Sequence, residues 1–371
     1  MTLRVLFLGD HLGYAGDVVH GATTYYLNVL PRLREQGVDA RCCFLRAPHS
    51  ASSQLQANGV PVTFLSSSKW GLRHVAAVEA LLREMQADVL HVAGMKSVLI
   101  GRWLARRLPV GLVIHVHDLN IPPLALRLLY RLVRLDRERA IAVSKAAAAL
   151  MPSSYAVDRA AIDVLYNGID IRAITDLPSA VRPAEIPAAS LLMVWVGRFH
   201  PVKGPKRMVG LMPQIRTRVP GLQLAMIGDG PEREACIALA KSLQVEACIT
   251  FLGQRGDVAQ ILRHADLMAI TSRQEGFPFV AVEAAVAGVP VVAFNVGGLG
   301  EAVLDQVSGI LVPDGEDETF VGAVVRLATD AQFRDRLSAQ ARHSVERLAM
   351  DGHVSSLIRL LEAAKAPASL A

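Results

Sequence analysis

Short runs of consecutive apolar residues recur along the chain, separated by longer stretches with apolar residues at helical spacing. Runs that are apolar at every position, rather than at alternate ones, mark strands covered on both faces. They predict strands at 4–8, 40–45, 60–65, 89–92, 110–116, 140–143 and 164–166 in the first half. Helices are predicted between them, among others at 23–36, 72–86, 97–107 and 124–137. The pattern then restarts, with strands at 192–196, 222–227, 250–252, 267–270, 289–294 and 310–312. Helices near 330–347 and 354–364 follow the last strand. Alternation of this kind predicts an α/β protein with two doubly wound parallel sheets. The segment 169–190 holds three prolines and no long apolar run, so the boundary is expected there. The expected domains are 1–175 and 176–350, with 351–371 a C-terminal helix packing back toward the first.

Composition narrows the class. Apolar residues make up 52% of the 371 and charged residues 20%, which excludes a mainly disordered chain. No apolar stretch is long enough for a spanning helix, and the run at Val5–Gly9 is too short for a signal-peptide core. A cytoplasmic protein is expected. Cys42 and Cys43 are adjacent and Cys236 and Cys248 lack metal-ligand spacing, so all four read as reduced structural thiols.

Candidate chemistry lies in four strand-to-helix loops of the second half. The first, residues 197–204, carries Arg198 and Lys203 between glycines. A fork and a point charge at a strand end suit a diphosphate, although such a pair alone is ordinarily solvated. The second, around Gly228 and Gly230, reads equally as a tight turn. In the third, Glu275 stands before a helix that Pro278 helps to open, where the NH groups of Gly276 and Phe277 can meet a ligand. Glu283 lies roughly 7–8 Å beyond Pro278 along such a helix. Two carboxylates at that offset suit an extended polyol, or are an N-terminal acid and a surface glutamate. The fourth, at 295–301, is again strand, glycines and helix.

Taken in order, these segments are recognisable. GRFHPVKG (197–204), IGDGPE (227–232), FLGQRGDV (251–258), TSRQEGFPFVAVEAAVAGVPVV (271–292), NVGGLGE (295–301) and SGILV (308–312) together resemble the nucleotide-sugar domain of the GT-B glycosyltransferases. The resemblance is to the large retaining family 4, the glycosyltransferases group 1. HGATTYYLNVLPRLREQG (20–37), HVHD (115–118), AVSKA (142–146) and LYNGID (165–170) extend it over the first half. It implies two Rossmann-like domains facing a central cleft, and a nucleotide-diphosphate sugar as donor. It further implies that Arg198 and Lys203 bind the diphosphate, that Glu275 contacts the transferred sugar and that Glu283 contacts the ribose. The backbone at Gly276, Phe277 and Pro278 would face sugar and phosphates, Gln254 and Arg255 the base, and Gly21 the phosphates. The family's histidine falls on His117, with His115 as runner-up; both point to one face of a strand and Asp118 away from it. Many relatives have two glycines where this chain has His20 and Gly21, which leaves the acceptor side open.

Retention follows from the resemblance alone. No Asp-x-Asp triplet occurs, so metal-independent transfer with no cofactor is expected. The acceptor is expected to be a glycan, a lipid-linked or a small-molecule hydroxyl. A nucleotide-sugar epimerase, a phosphorylase and a non-catalytic partner subunit are the alternatives.

Charge adds one expectation. Residues 1–180 hold 20 Lys and Arg against 14 Asp and Glu, a net of +6, whereas the remainder has 19 against 20. Arg127, Arg131 and Arg134 fall on one face of the 124–137 helix, and Arg102, Arg106 and Arg107 form another stripe with Trp103. Such helices can lie on anionic lipid or can be packed helices with a solvated basic face. Nucleic acid is not expected, because aromatics do not interleave the basic residues.

Overall fold

The computed structural model describes residues 2–13, 21–66, 72–177, 182–187 and 190–366. The chain divides into two units, Met1–Gly168 with Met350–Ala371, and Ile169–Ala349. The first division thus falls a few residues before the expected 175/176. His20 and most of the glycine-containing loop before it lie outside the described residues, as does part of the expected linker.

The first unit holds seven parallel strands: β1 (Arg4–Gly9), β2 (Asp39–Phe44), β3 (Val62–Phe64), β4 (Val89–Ala93), β5 (Gly111–Val116), β6 (Arg139–Ala142) and β7 (Ile162–Val164). Their order across the sheet is β3-β2-β1-β4-β5-β6-β7. The second unit holds β8 (Leu191–Val196), β9 (Leu222–Ile227), β10 (Ile249–Gly253), β11 (Leu267–Ile270), β12 (Val291–Phe294) and β13 (Gly309–Val312), ordered β10-β9-β8-β11-β12-β13. The central strands β4, β5, β11 and β12 are buried along their whole length. That burial is why they read as unbroken apolar runs.

Helices cover the sheets through periodic faces. In Gly21–Glu35, Thr23, Tyr26, Leu30 and Leu33 recur at three- and four-residue spacing and are buried. The Met350–Ala363 helix packs against it within the first unit. There His353 Nδ1 donates to the Tyr166 carbonyl at 2.8 Å. At the carboxyl ends of β1 and β4, Asp10 accepts from the backbone NH groups of Lys96 and Ser97 and from the Ser97 hydroxyl. This caps the Met95–Ala105 helix. Gly94 sits at φ 124°, and a Cβ there would lie 2.5 Å from the Asp10 carboxyl carbon, so only glycine fits.

Two expectations about the basic stripes are corrected. The helix expected at 124–137 ends at Leu132, because Val133 leaves the helical region and the chain turns toward β6. Arg134 therefore lies beyond it. Arg102 belongs to no solvated stripe. It is fully buried, with Nε and Nη2 donating to Glu138 at 2.8 and 2.5 Å, Nη1 donating to the Tyr130 carbonyl and Nη2 also to the Tyr155 carbonyl. All four cysteines are buried and unpaired. Burial pushes the Cys43 thiol up to about 12 and that of Cys236 to about 11, which keeps both protonated.

Candidate functional site

In a doubly wound sheet the loops diverge where strand order reverses, and ligands bind beyond the carboxyl ends of the strands there. In the second unit this point lies between β8 and β11. The loops leaving those two strands are the ones that carry Arg198 and Lys203, and Glu275 to Pro278.

The two loops are stitched together. The Trp195 indole NH donates to Thr271 Oγ1 at 3.1 Å, and that hydroxyl donates to the Gly204 carbonyl at 2.9 Å. Arg273 N donates to the Val202 carbonyl at 2.8 Å. Gly204 has φ +66°, and a Cβ there would fall 2.1 Å from the Thr271 carbonyl oxygen. The close approach brings Lys203 onto the second loop. Its Nζ donates to both Glu275 oxygens, at 2.7 and 2.8 Å, and Ser272 Oγ donates to Glu275 Oε1 at 2.6 Å.

Glu275 is only 7% exposed, so two donor groups, an ammonium and a hydroxyl, hold a nearly dry carboxylate in one place. Its own carbonyl accepts from Gly298 N at 2.8 Å, which ties in the loop after β12. The β9 loop joins through Phe199 N to the Asp229 carbonyl and Glu232 N to the Phe199 carbonyl. Arg198 is half-buried on the same β8 loop. Sequence reasoning treated Lys203 and Glu275 as separate contacts; the structure pairs them. It also overlooked Ser272, although a hydroxyl three residues before the glutamate was visible.

The Phe279–Ala287 helix begins directly after Pro278, and Ala281, Val282, Ala284, Ala285 and Val286 are buried. A helix apolar nearly all round is an interior one. Glu283 sits on it, and burial pushes its carboxyl up to about 7. Glu283 is half-buried among these residues, rather than a freely solvated surface glutamate. The folded state keeps this proton to near neutral pH, whereas the unfolded chain releases it near 4.5. Burial of Glu283 therefore costs stability progressively from pH 4.5 to 7, and the cost is complete above 7. Glu283→Gln is expected to raise stability by about 2 kcal/mol at pH 8 and to lose that advantage toward pH 4. Urea unfolding at the two pH values reads this, and an equal gain at both would contradict it.

Gln254 is exposed on the loop after β10. Arg255 is engaged by its neighbour: Nε and Nη2 donate to the two Asp257 oxygens at 2.8 and 2.7 Å. In the first unit Gly21 is the first residue of its helix. His117 follows β5 and is half-buried, while His115 within the strand is 2% exposed.

A cluster of rings surrounds these histidines that sequence reasoning did not anticipate. His91 Nε2 and His115 Nδ1 share a hydrogen bond at 3.0 Å. The rings of His115 and His117 lie 4.0 Å apart, and Tyr25 packs on His115, His117 and His353 at 5.1, 4.7 and 5.6 Å. Burial pushes His91 down to about 3 and His353 to about 4, and moves His115 the same way. These rings stay neutral at ordinary pH. Among the described residues no three His, Cys, Asp or Glu side chains gather as metal ligands would.

Comparison with known proteins matches this arrangement to one superfamily. Residues 180–344 match the family model for glycosyl transferases group 1, and residues 19–173 that for glycosyltransferase family 4. The chain is 30% identical to a D-inositol 3-phosphate glycosyltransferase of Rhodococcus erythropolis, across 91% of this chain and 85% of that one. It is 27% identical to an N-acetyl-alpha-D-glucosaminyl L-malate synthase of Bacillus anthracis, over 70% of each. Among solved structures, a glycosyltransferase from Rickettsia africae superposes with TM-score 0.85 at 14% identity, covering 97% of this chain and 98% of that one. Anabaena Alr3699/HepE in complex with UDP superposes with TM-score 0.82 at 24% identity, covering 97% and 100%. The likeness of fold, the matched models and the full-length relative agree, and the chain belongs to the group 1, family 4 glycosyltransferases of GT-B fold.

Proposed function

We propose that the enzyme transfers a sugar from a nucleotide-diphosphate sugar to a hydroxyl acceptor, with retention and without a metal. The observation that carries this is the Lys203–Glu275–Ser272 cluster at the switch point of the second sheet. A fixed carboxylate grips a sugar hydroxyl, and the adjacent ammonium meets the departing phosphate. Arg198 adds a second cation for the diphosphate. The backbone NH groups of Gly276 and Phe277 face it just ahead of a helix, and Pro278 brings the backbone close there. Glu283 serves the ribose, Gln254 and Arg255 the base, and Gly21 and His117 the donor from the first unit.

The chemical step breaks the bond between the anomeric carbon and the leaving phosphate oxygen. The acceptor oxygen bonds to that carbon on the same face, and its proton passes to the leaving phosphate. This chain's contribution is to hold the two partners and to stabilise the phosphate charge as it develops. The acceptor is a glycan, a lipid-linked or a small-molecule hydroxyl. We place the enzyme in the cytoplasm at an anionic membrane surface, a reading supported by four unpaired thiols and the basic first half.

The test is a panel of UDP-, GDP- and ADP-sugars with EDTA present. Binding and slow hydrolysis are followed, and then transfer to inositol 3-phosphate, L-malate and lipid-linked acceptors. One donor turning over with its anomeric configuration kept in the product supports the proposal. Inversion, a requirement for metal, or conversion of donor to an epimer without acceptor would refute it.

A further inference from the structure

Five of the nine well-exposed large apolar side chains among the described residues fall between Ile121 and Leu132, so the exposure is concentrated in one place. Leu124, Leu128 and Leu132 are 65%, 48% and 76% exposed and stand at i, i+4 and i+8 of the Leu124–Leu132 helix. They form one face, and Ile121, just before the helix, is 59% exposed as well. An ordinary surface helix turns such a stripe inward. This helix is held the other way round. Tyr130 is its buried residue, with its ring stacked on Tyr155 and its hydroxyl donating to the Met95 carbonyl at 2.6 Å. Arg127 donates to the Ser153 carbonyl on the inner side.

Cations border the apolar face. Residues 121–137 contain four arginines and one aspartate, a net of +3. Arg131 and Arg134 line an open depression of about 350 Å³ with Pro152, Ala156 and Val157. Arg134 meets Asp158 and Asp136, both exposed, at 3.3 and 3.8 Å, while Arg131 has no carboxylate partner among the described residues. Arg106 donates to the Arg134 carbonyl, which places it at the same end. An exposed apolar stripe with arginines along its border needs a partner that is apolar at depth and anionic at its surface. An anionic bilayer meets both requirements without any matching shape.

We propose that the Leu124–Leu132 helix is an interfacial helix. It inserts Leu124, Leu128 and Leu132 into the acyl boundary of an anionic phospholipid bilayer and sets Arg131, Arg134 and Arg106 on headgroup phosphates. This rests on the peripheral-membrane part of the proposed function and is independent of the donor.

The experiment is co-sedimentation of the full chain with phosphatidylcholine vesicles, with and without phosphatidylglycerol. The wild type is compared with Leu128→Ser/Leu132→Ser and Arg131→Ala/Arg134→Ala. The wild type is expected to bind the anionic vesicles at least about tenfold more tightly. The arginine pair is expected to lose about 10–30-fold, because each cation near the surface adds roughly a factor of five. The serine pair is expected to lose at least as much. Both variants touch only exposed side chains, and unchanged circular dichroism and nucleotide binding confirm that they fold.

Equal binding to both vesicle types, or undiminished binding by the serine variant, overturns the proposal. So does a wild-type dimer that the serine variant converts to monomer with vesicle binding unchanged, since the face then belongs to a second copy. A wild type that turns over donor but binds neither vesicle type refutes only this inference. Vesicle binding without donor turnover refutes only the transferase chemistry.

Discussion

Glu275→Ala is expected to reduce donor turnover by about 10²–10³-fold while leaving the fold intact. The carboxylate is nearly dry and held by Lys203 and Ser272, so it is set in place before substrate arrives. A group fixed in this way costs no reorganisation when charge develops, which is where its proposed contribution to the rate lies. Removing it releases Lys203, whose side chain keeps 33% of its surface and can return to water, so the loss of stability should be small. Glu275→Gln preserves shape and a bond with Ser272 but not the charge that holds Lys203. It should therefore resemble alanine in turnover.

Lys203→Ala should also be severe, and the double variant should lose little more than the worse single one, because each side chain holds the other. Steady-state kinetics on the four proteins, with thermal unfolding as control, decides this. Additive losses, or turnover within a few-fold of wild type in Glu275→Ala, would remove the cluster from the site.

Glu138→Ala is expected to destabilise the first unit by about 3–5 kcal/mol, the usual result of orphaning one partner of a buried ion pair. Arg102 is 0% exposed and Glu138 2%, and the guanidinium also serves the carbonyls of Tyr130 and Tyr155. Those carbonyls lie in the last turns of the Leu124–Leu132 and Lys145–Tyr155 helices, where a cation also answers the helix dipoles. Alanine would leave the charge buried with carbonyls only. Replacing both partners, as Arg102→Met/Glu138→Leu, removes the orphan and is expected to cost much less. Equilibrium urea unfolding would read both variants. A double variant as unstable as Glu138→Ala would mean that the two carbonyl bonds, rather than the ion pair, hold these helices.

The central strands were legible because they are covered on both faces, and full burial leaves an apolar run that needs no partner to be seen, whereas the edge strands β3 and β7 are only partly covered. The residues of the second-unit loops were legible for a related reason. Gly197, Gly204, Gly228 and Gly230 punctuate strand ends, and at Gly204 a backbone approach that excludes a Cβ leaves a glycine as its trace. The pairing of Lys203 with Glu275 was not legible. Seventy-two residues separate them, and only the order β8 beside β11 makes their loops neighbours.

The same limit explains the misreadings around the arginines. Periodicity says which residues of a helix share a face, but not which face turns inward. In Leu124–Leu132 one buried tyrosine and the carbonyl contacts of Arg102 and Arg127 turned the leucines out. Arg102 read as one cation among several until Glu138, thirty-six residues on, was found against it. Likewise His115 of β5 and His353 of the Met350–Ala363 helix meet on Tyr25, and His91 of β4 meets His115, only in space. Local pattern and glycine placement, which depend on a residue's own backbone and burial, were determined by the sequence alone. Charge pairing and the orientation of amphipathic faces depend on which distant segment packs alongside, and only the tertiary structure decided those.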